Sequence, residues 1–145
     1  MRLWHKDLIP VLPRQQLLGQ WRECCAIAKS IAEKGTPNHV LVNRIMEYPM
    51  SHFLFYIDSV VYEMSKRGYK ANLLLIEKYF SEEECNGVMD LMRFNPTNAE
   101  EVILSGWHND RYLRQCLANL QEKHDCGAIP EEEWKKIADK YTAWR

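Results

Sequence analysis

Apolar residues recur at steps of three and four from Arg14 to about Lys34, where Leu17, Trp21, Cys24, Cys25, Ala28, Ile31 and Ala32 make one stripe of an amphipathic helix. Pro13 suits a first turn, where its missing N–H costs nothing, and Gly35 followed by Thr36, Pro37 and Asn38 ends the segment. A second periodic run from about Pro49 to Arg67 carries Phe53, Ile57, Val60, Val61 and Met64, with Gly68 placed to close it. Asn72 to Phe80 stays open between a short helix and a strand, because periodicity does not arbitrate over so few residues. Ser81-Glu82-Glu83-Glu84 and Thr97-Asn98-Ala99-Glu100 both have the capping-box form, in which two backbone donors are satisfied reciprocally, so each predicts a helix start. Asn109 is a cap for a helix bearing Leu113, Cys116, Leu117 and Leu120, and Pro130 opens a last one with Trp134, Ile137, Ala138 and Tyr141 on its inner face. The expected fold is all-α, a single compact domain of several helices over residues 1–145, with an extended N-terminal segment packed on the polar face of the first long helix.

Composition narrows the class without naming a function. A chain of 145 residues, 46% hydrophobic and 27% charged, has enough apolar surface for a real core and is too short for two comfortable ones. No apolar run approaches a membrane-spanning length, and Trp4, His5, Lys6 and Asp7 stand where a signal peptide would become apolar, so a cytoplasmic protein with no membrane partner is expected. The five cysteines contain no CxxC pair and read as reduced thiols; a metal set from His5, Cys24, Cys25 and His124-Asp125-Cys126 is not demanded by any spacing, so no metal or cofactor is expected. The net charge of −1 gives no long-range attraction for nucleic acid, so any binding to DNA must use a local patch.

The face of the first helix opposite its apolar stripe holds Gln15, Gly19, Arg22, Glu23 and Ala26. Gly19 costs the helix roughly 1 kcal/mol against alanine, which points to something approaching the backbone there. Taken alone, Arg22 and Glu23 also fit an ordinary solvated pair.

The run Leu8-Ile9, Leu12, Gln15, Leu17 and Trp21-Arg22-Glu23 resembles the beginning of the pyrimidine-dimer DNA glycosylases of the phage endonuclease V type. Met1 to Pro10 together with Arg22-Glu23-Cys24-Cys25 is similar to a bacterial branch of that family. A weaker likeness follows in Phe55-Tyr56 and Lys66-Arg67-Gly68-Tyr69, and the C-terminal Trp134-Lys135-Lys136, Lys140, Tyr141 and Trp144 resemble the family's aromatic and basic end.

The resemblance implies an N-terminal α-amine that attacks C1′ of the damaged nucleotide, releases the base, forms a Schiff base and nicks the strand by elimination. It also implies that Glu23 supports the sugar cation and later proton transfers, and that Arg2, Gln15, Gln16 and Arg22 meet damaged double-stranded DNA. Physical chemistry agrees: an α-amine titrates near about 7.7–8.0, against roughly 10.4 for lysine, so a useful fraction is neutral at pH 7. The family's nucleophile is a threonine amine exposed by loss of Met. Here bulky Arg2 keeps Met1 in place, and Met1-Arg2-Leu3 takes the place of the family's Thr-Arg-Ile, which makes Met1 the nucleophile. Gln16 stands where the family has histidine and Ala26 where it has arginine, two DNA contacts fewer. The leading reading is a DNA-repair glycosylase with apurinic/apyrimidinic lyase activity; the alternative is a non-catalytic helical DNA-binding or protein-interaction module on the same scaffold.

Overall fold

The computed structural model describes residues 1–94 and 98–141. Among them every regular element is a helix and no strand occurs, as the periodicities predict. Helix α1 spans Arg14–Lys34, with Pro13 as its N-cap and Gly35 closing it in the left-handed conformation at φ 75°, its N–H bonded to the Ile31 carbonyl. Helix α2, Met50–Lys66, lies between Pro49 and the cap residue Arg67, and Gly68 again takes positive φ.

The stretch from Asn72 to Phe80 contains a single helical turn, α3 (Leu74–Glu77), which Asn72 caps by accepting the Leu74 N–H at 3.0 Å. Helix α4, Glu82–Phe94, opens with the expected capping box: Ser81 N–H donates to Glu84 Oε1 and Glu84 N–H to Ser81 Oγ, both at 3.0 Å. Thr97, the first residue of the other expected box, lies outside the described residues; Asn98 precedes the short α5, Ala99–Val102. Helix α6, Asp110–Asp125, starts where Asn109 Oδ1 accepts the Tyr112 N–H at 3.0 Å, and α7, Glu131–Lys140, starts after Pro130.

Helix α2 is the centre of the packing. Its Phe53, Tyr56, Ile57, Val60 and Met64 are buried, and α1, α4 and the N-terminal segment all lie against it. Burying side chains of this size contributes roughly 1.5–3 kcal/mol each. The stripe on α1 is displaced from the expected one: Leu17, Gln20, Cys24, Ile27 and Ala28 are buried, Trp21, Cys25 and Ile31 only partly, and Ala32 is exposed. The N-terminal segment causes the shift. It buries Leu3, Trp4 and His5 in extended form and then turns through a 3-10 helix, Lys6–Val11, that buries Leu8 and Ile9. It meets α1 at Gln20 and Glu23, the border of the polar face, while Gln15, Arg22 and Ala26 remain exposed.

The end of α2 is tied to the same segment. Arg67 donates to the carbonyls of Leu12 at 2.8 Å and Pro10 at 3.1 Å, and lies 3.9 Å from the carboxylate of buried Glu63. Lys140 at the end of α7 donates to the Asp7 carbonyl at 3.2 Å, and Lys6 donates to the carbonyls of Glu101 and Ile103. The first twelve residues are thus held from four directions, which fixes where the chain begins.

Candidate active site

Residues 2 to 5 lie extended without a neighbouring strand, so their backbone groups need partners from side chains. Gln20, fully buried on α1, accepts the Trp4 N–H on Oε1 at 2.7 Å and donates from Nε2 to the Arg2 carbonyl at 3.1 Å. One amide side chain thereby does what a paired strand would do. Tyr56, fully buried on α2, directs its hydroxyl to the Trp4 carbonyl at 2.6 Å, with Gln20 Oε1 3.0 Å away. From α6, Tyr112 donates to the Leu3 carbonyl at 2.5 Å, and His108, in the turn before α6, accepts the Lys6 N–H on Nδ1 at 2.9 Å. Each of these groups, buried and unpaired, would cost about 1–3 kcal/mol, which explains so many polar side chains in one core.

The clamp delivers the start of the chain to a carboxylate. The Arg2 amide N lies 3.4 Å from Glu23 Oε2, and Gln20 Nε2 is 3.4 Å from the same oxygen. Met1 precedes that amide, so the bond to Glu23 holds the Met1 Cα nearby, and rotation about one bond orients the α-amine. Met1 itself is exposed and Glu23 partly exposed, leaving the pair open to a large ligand.

Burial keeps the surrounding groups neutral. It pushes the His108 ring well down, with help from His5 and Lys6, and it lowers His5 against the opposing pull of Asp7. The two rings stack with centroids 5.2 Å apart. Burial also raises the hydroxyls of Tyr56 and Tyr112 and the thiol of Cys116, so the clamp is a set of uncharged donors and acceptors around one carboxylate.

The other expected residues are distributed less tightly. Arg2 turns its guanidinium over the Trp4 ring at 5.4 Å, with Nη1 3.7 Å from Cys116 Sγ. Arg22 is exposed, and its Nη2 is the nearest atom to a Cβ built on Gly19, at 3.9 Å, so nothing within the described chain requires glycine there. Gln15 is exposed and Gln16 half-buried, with its Oε1 lacking a hydrogen-bond partner; both lie about 10–12 Å along α1 from Glu23.

His5, His52 and His108 supply no cations in place of those contacts. Each accepts a backbone N–H on Nδ1, from Asp7, Leu104 and Lys6 respectively, a bond that protonation would break, and burial lowers all three. The C-terminal aromatic and basic residues are largely engaged in packing: Trp134 stacks on His124 at 4.6 Å and Lys140 holds Asp7, while Trp144 lies outside the described residues. Cys24 and Cys25 are raised by burial, and no group of three or more His, Cys, Asp or Glu among the described residues is placed to hold a metal. A cavity of about 680 Å³ is lined by Lys6, Phe55, Asp58, Tyr62, Lys66 and Tyr141 among others, but not by Met1 or Glu23. The Met1 and Glu23 site is an open surface, the form a duplex can reach.

A family model described as pyrimidine dimer DNA glycosylase matches residues 1–77, more than half of the 145. The chain belongs to the pyrimidine dimer DNA glycosylase family. No curated protein and no solved structure matches it. The matched part of this family member takes in the N-terminal segment, α1 and α2, and therefore Met1, Gln20, Glu23, Tyr56 and Arg67. Tyr112 and His108, which complete the clamp, come from outside the match. No helix among the described residues is long and apolar enough to cross a membrane.

The sequence alone marks no role for Gln20, Tyr112 or His108, and Tyr56 enters only in the weaker family likeness. A glutamine in phase with Leu17, Cys24 and Ile27 was the available sign, because a polar residue on a buried stripe must have partners.

Proposed function

We propose that this chain is a single-domain DNA glycosylase with apurinic/apyrimidinic lyase activity, acting on pyrimidine dimers or related lesions in duplex DNA. The observation that carries the reading is the Arg2 amide on the Glu23 carboxylate, which keeps the first residue of the chain beside a negative charge on an open surface. The α-amine of Met1 attacks C1′ as the glycosidic bond breaks and its electron pair leaves with the base. The sugar cation forming at C1′ is stabilised by the Glu23 carboxylate. Loss of an amine proton and opening of the ring, with O4′ taking up a proton, give the Schiff base. Glu23 then accepts a proton from C2′, the C3′–O bond breaks with its pair going to the phosphate, and water releases the amine.

Arg22, and Arg2 if it turns away from Trp4, meet phosphates, and Gln15 and Gln16 extend the contact along α1. The nucleotide must leave the base stack to expose C1′, at a cost of a few kcal/mol that is least at a damaged site. This chemistry calls on no metal or cofactor. Incubation with ultraviolet-irradiated and abasic duplexes in EDTA should nick only the damaged strands, and acetylation of the Met1 amine should stop the nicking. Nicking by the acetylated protein would refute the mechanism.

A non-catalytic module is the second reading. Gln16 and Ala26, which replace two expected cationic or imidazole contacts, and the inward turn of Arg2 favour it. It predicts binding of DNA or protein without nicking under any condition.

A further inference from the structure

We infer that Gln20, backed by Tyr56, is a positioning residue for the N-terminal amine, holding the Arg2 peptide and the Glu23 carboxylate in one rigid frame. The inference rests on the Met1 and Glu23 reading above. Gln20 is fully buried, and all of its amide is engaged: Oε1 faces the Trp4 N–H at 2.7 Å and the Tyr56 hydroxyl at 3.0 Å, while Nε2 faces the Arg2 carbonyl at 3.1 Å and Glu23 Oε2 at 3.4 Å. A side chain serving only to fill that space would be an apolar one of the same length. What an apolar residue cannot do is donate at once to the Arg2 carbonyl and to the carboxylate that accepts the Arg2 N–H.

The geometry explains why this link is sensitive. The backbone of Arg2 is tied to α1 at two points, its N–H to Glu23 and its carbonyl to Gln20. Removing the Gln20 donor leaves the long bond to Glu23 as the backbone tie from Arg2 to α1, and a displacement of about 1 Å at a reacting group costs on the order of 10²-fold in rate. Tyr56 supports the arrangement from α2 by bonding the Trp4 carbonyl, so it fixes the peptide two further along.

The test uses the full chain, with single-turnover nicking and borohydride trapping on a duplex containing one abasic site, and binding to the same duplex by anisotropy. Gln20→Met should trap on the order of 10²-fold more slowly at saturating DNA, with Kd unchanged within about twofold. Gln20→Glu keeps the acceptor for Trp4 but loses both donors and sets a second carboxylate beside Glu23. Like charges that close raise their shared proton affinity, so the acid limb of its pH–rate profile should move to higher pH, which a merely structural residue would not cause. Tyr56→Phe, which keeps shape and fold, should show a smaller loss in the rate alone and decides the matter should Gln20→Met fail to fold.

Wild-type trapping matched by Gln20→Met, or by Tyr56→Phe and Gln20→Glu with an unmoved profile, overturns the role of Gln20 alone. A wild type that binds the duplex and neither traps nor nicks overturns the Met1 and Glu23 reading, and the positioning role with it.

Discussion

Replacing Arg67 by methionine keeps the aliphatic stem packed and removes the guanidinium that joins the end of α2 to the N-terminal segment. Its bond to the partly buried Leu12 carbonyl, at 2.8 Å, is charge-assisted and contributes about 1.5–3 kcal/mol. The bond to Pro10 is exposed and water replaces it, so about 0.5 kcal/mol is lost there. Glu63, with its side chain only 9% exposed and 3.9 Å from the guanidinium, also loses its neighbouring cation, for about another 1 kcal/mol. The expected destabilisation is about 3–4.5 kcal/mol, which in a chain of this size lowers Tm by roughly 6–18 °C. Arg67→Lys should recover less than half of it, because an ammonium does not present the fork that reaches both carbonyls. Urea unfolding of the three proteins at pH 7, followed by circular dichroism, measures the difference. A loss below about 1 kcal/mol in Arg67→Met, or full recovery in Arg67→Lys, would refute the claim that this residue anchors the segment.

Arg22→Ala should weaken binding to damaged duplex and lower the slope of log K against log salt by about 0.9, the value for one phosphate contact; an unchanged slope in titrations at several salt concentrations would remove Arg22 from the interface. Glu23→Gln should bind normally and cleave about 10²–10⁴-fold more slowly, since size is kept while charge and base are lost; equal single-turnover nicking would clear Glu23 of any role. His5 and His108 have folded-state values lowered by burial, so the unfolded chain takes up protons first and stability falls as pH drops below about 6.5. Surface His124, raised by Glu131 and Asp125, has the opposite sign, its contribution being lost as pH rises. In His108→Asn, whose Oδ1 can still accept the Lys6 N–H, the acid-side decline of the urea midpoint should be shallower; an equally steep decline would place the cause elsewhere.

The sequence showed the elements best where a terminus has its own chemistry. Pro13 and Gly35 bound α1, Ser81 and Glu84 cap α4 reciprocally, and Asn109 caps α6, each within four residues of its partner. The site was legible only in part. Glu23 and Arg22 stand out through the resemblance, but the residues that bring Met1 to Glu23 act across distances of 16 to 109 residues, from Gln20 to Trp4 and from Tyr112 to Leu3. Hydrophobic periodicity puts Gln20 in phase with a buried stripe without naming its partners, and it assigns a buried tyrosine to the core without saying what its hydroxyl must reach. The same holds for His108 and for Arg67, whose value lies in backbone groups of a segment that has no periodicity of its own.

If the Met1 α-amine is the nucleophile, borohydride trapping followed by peptide mapping will find the DNA bonded to it. The wild-type chain is incubated with duplex carrying an abasic site or a pyrimidine dimer, reduced, digested and sequenced by mass spectrometry. The account predicts a DNA remnant on the α-amine of Met1, in the peptide that ends at Arg2, and no adduct after that amine is acetylated. A remnant on an internal lysine such as Lys6, or an adduct that survives acetylation, would contradict it.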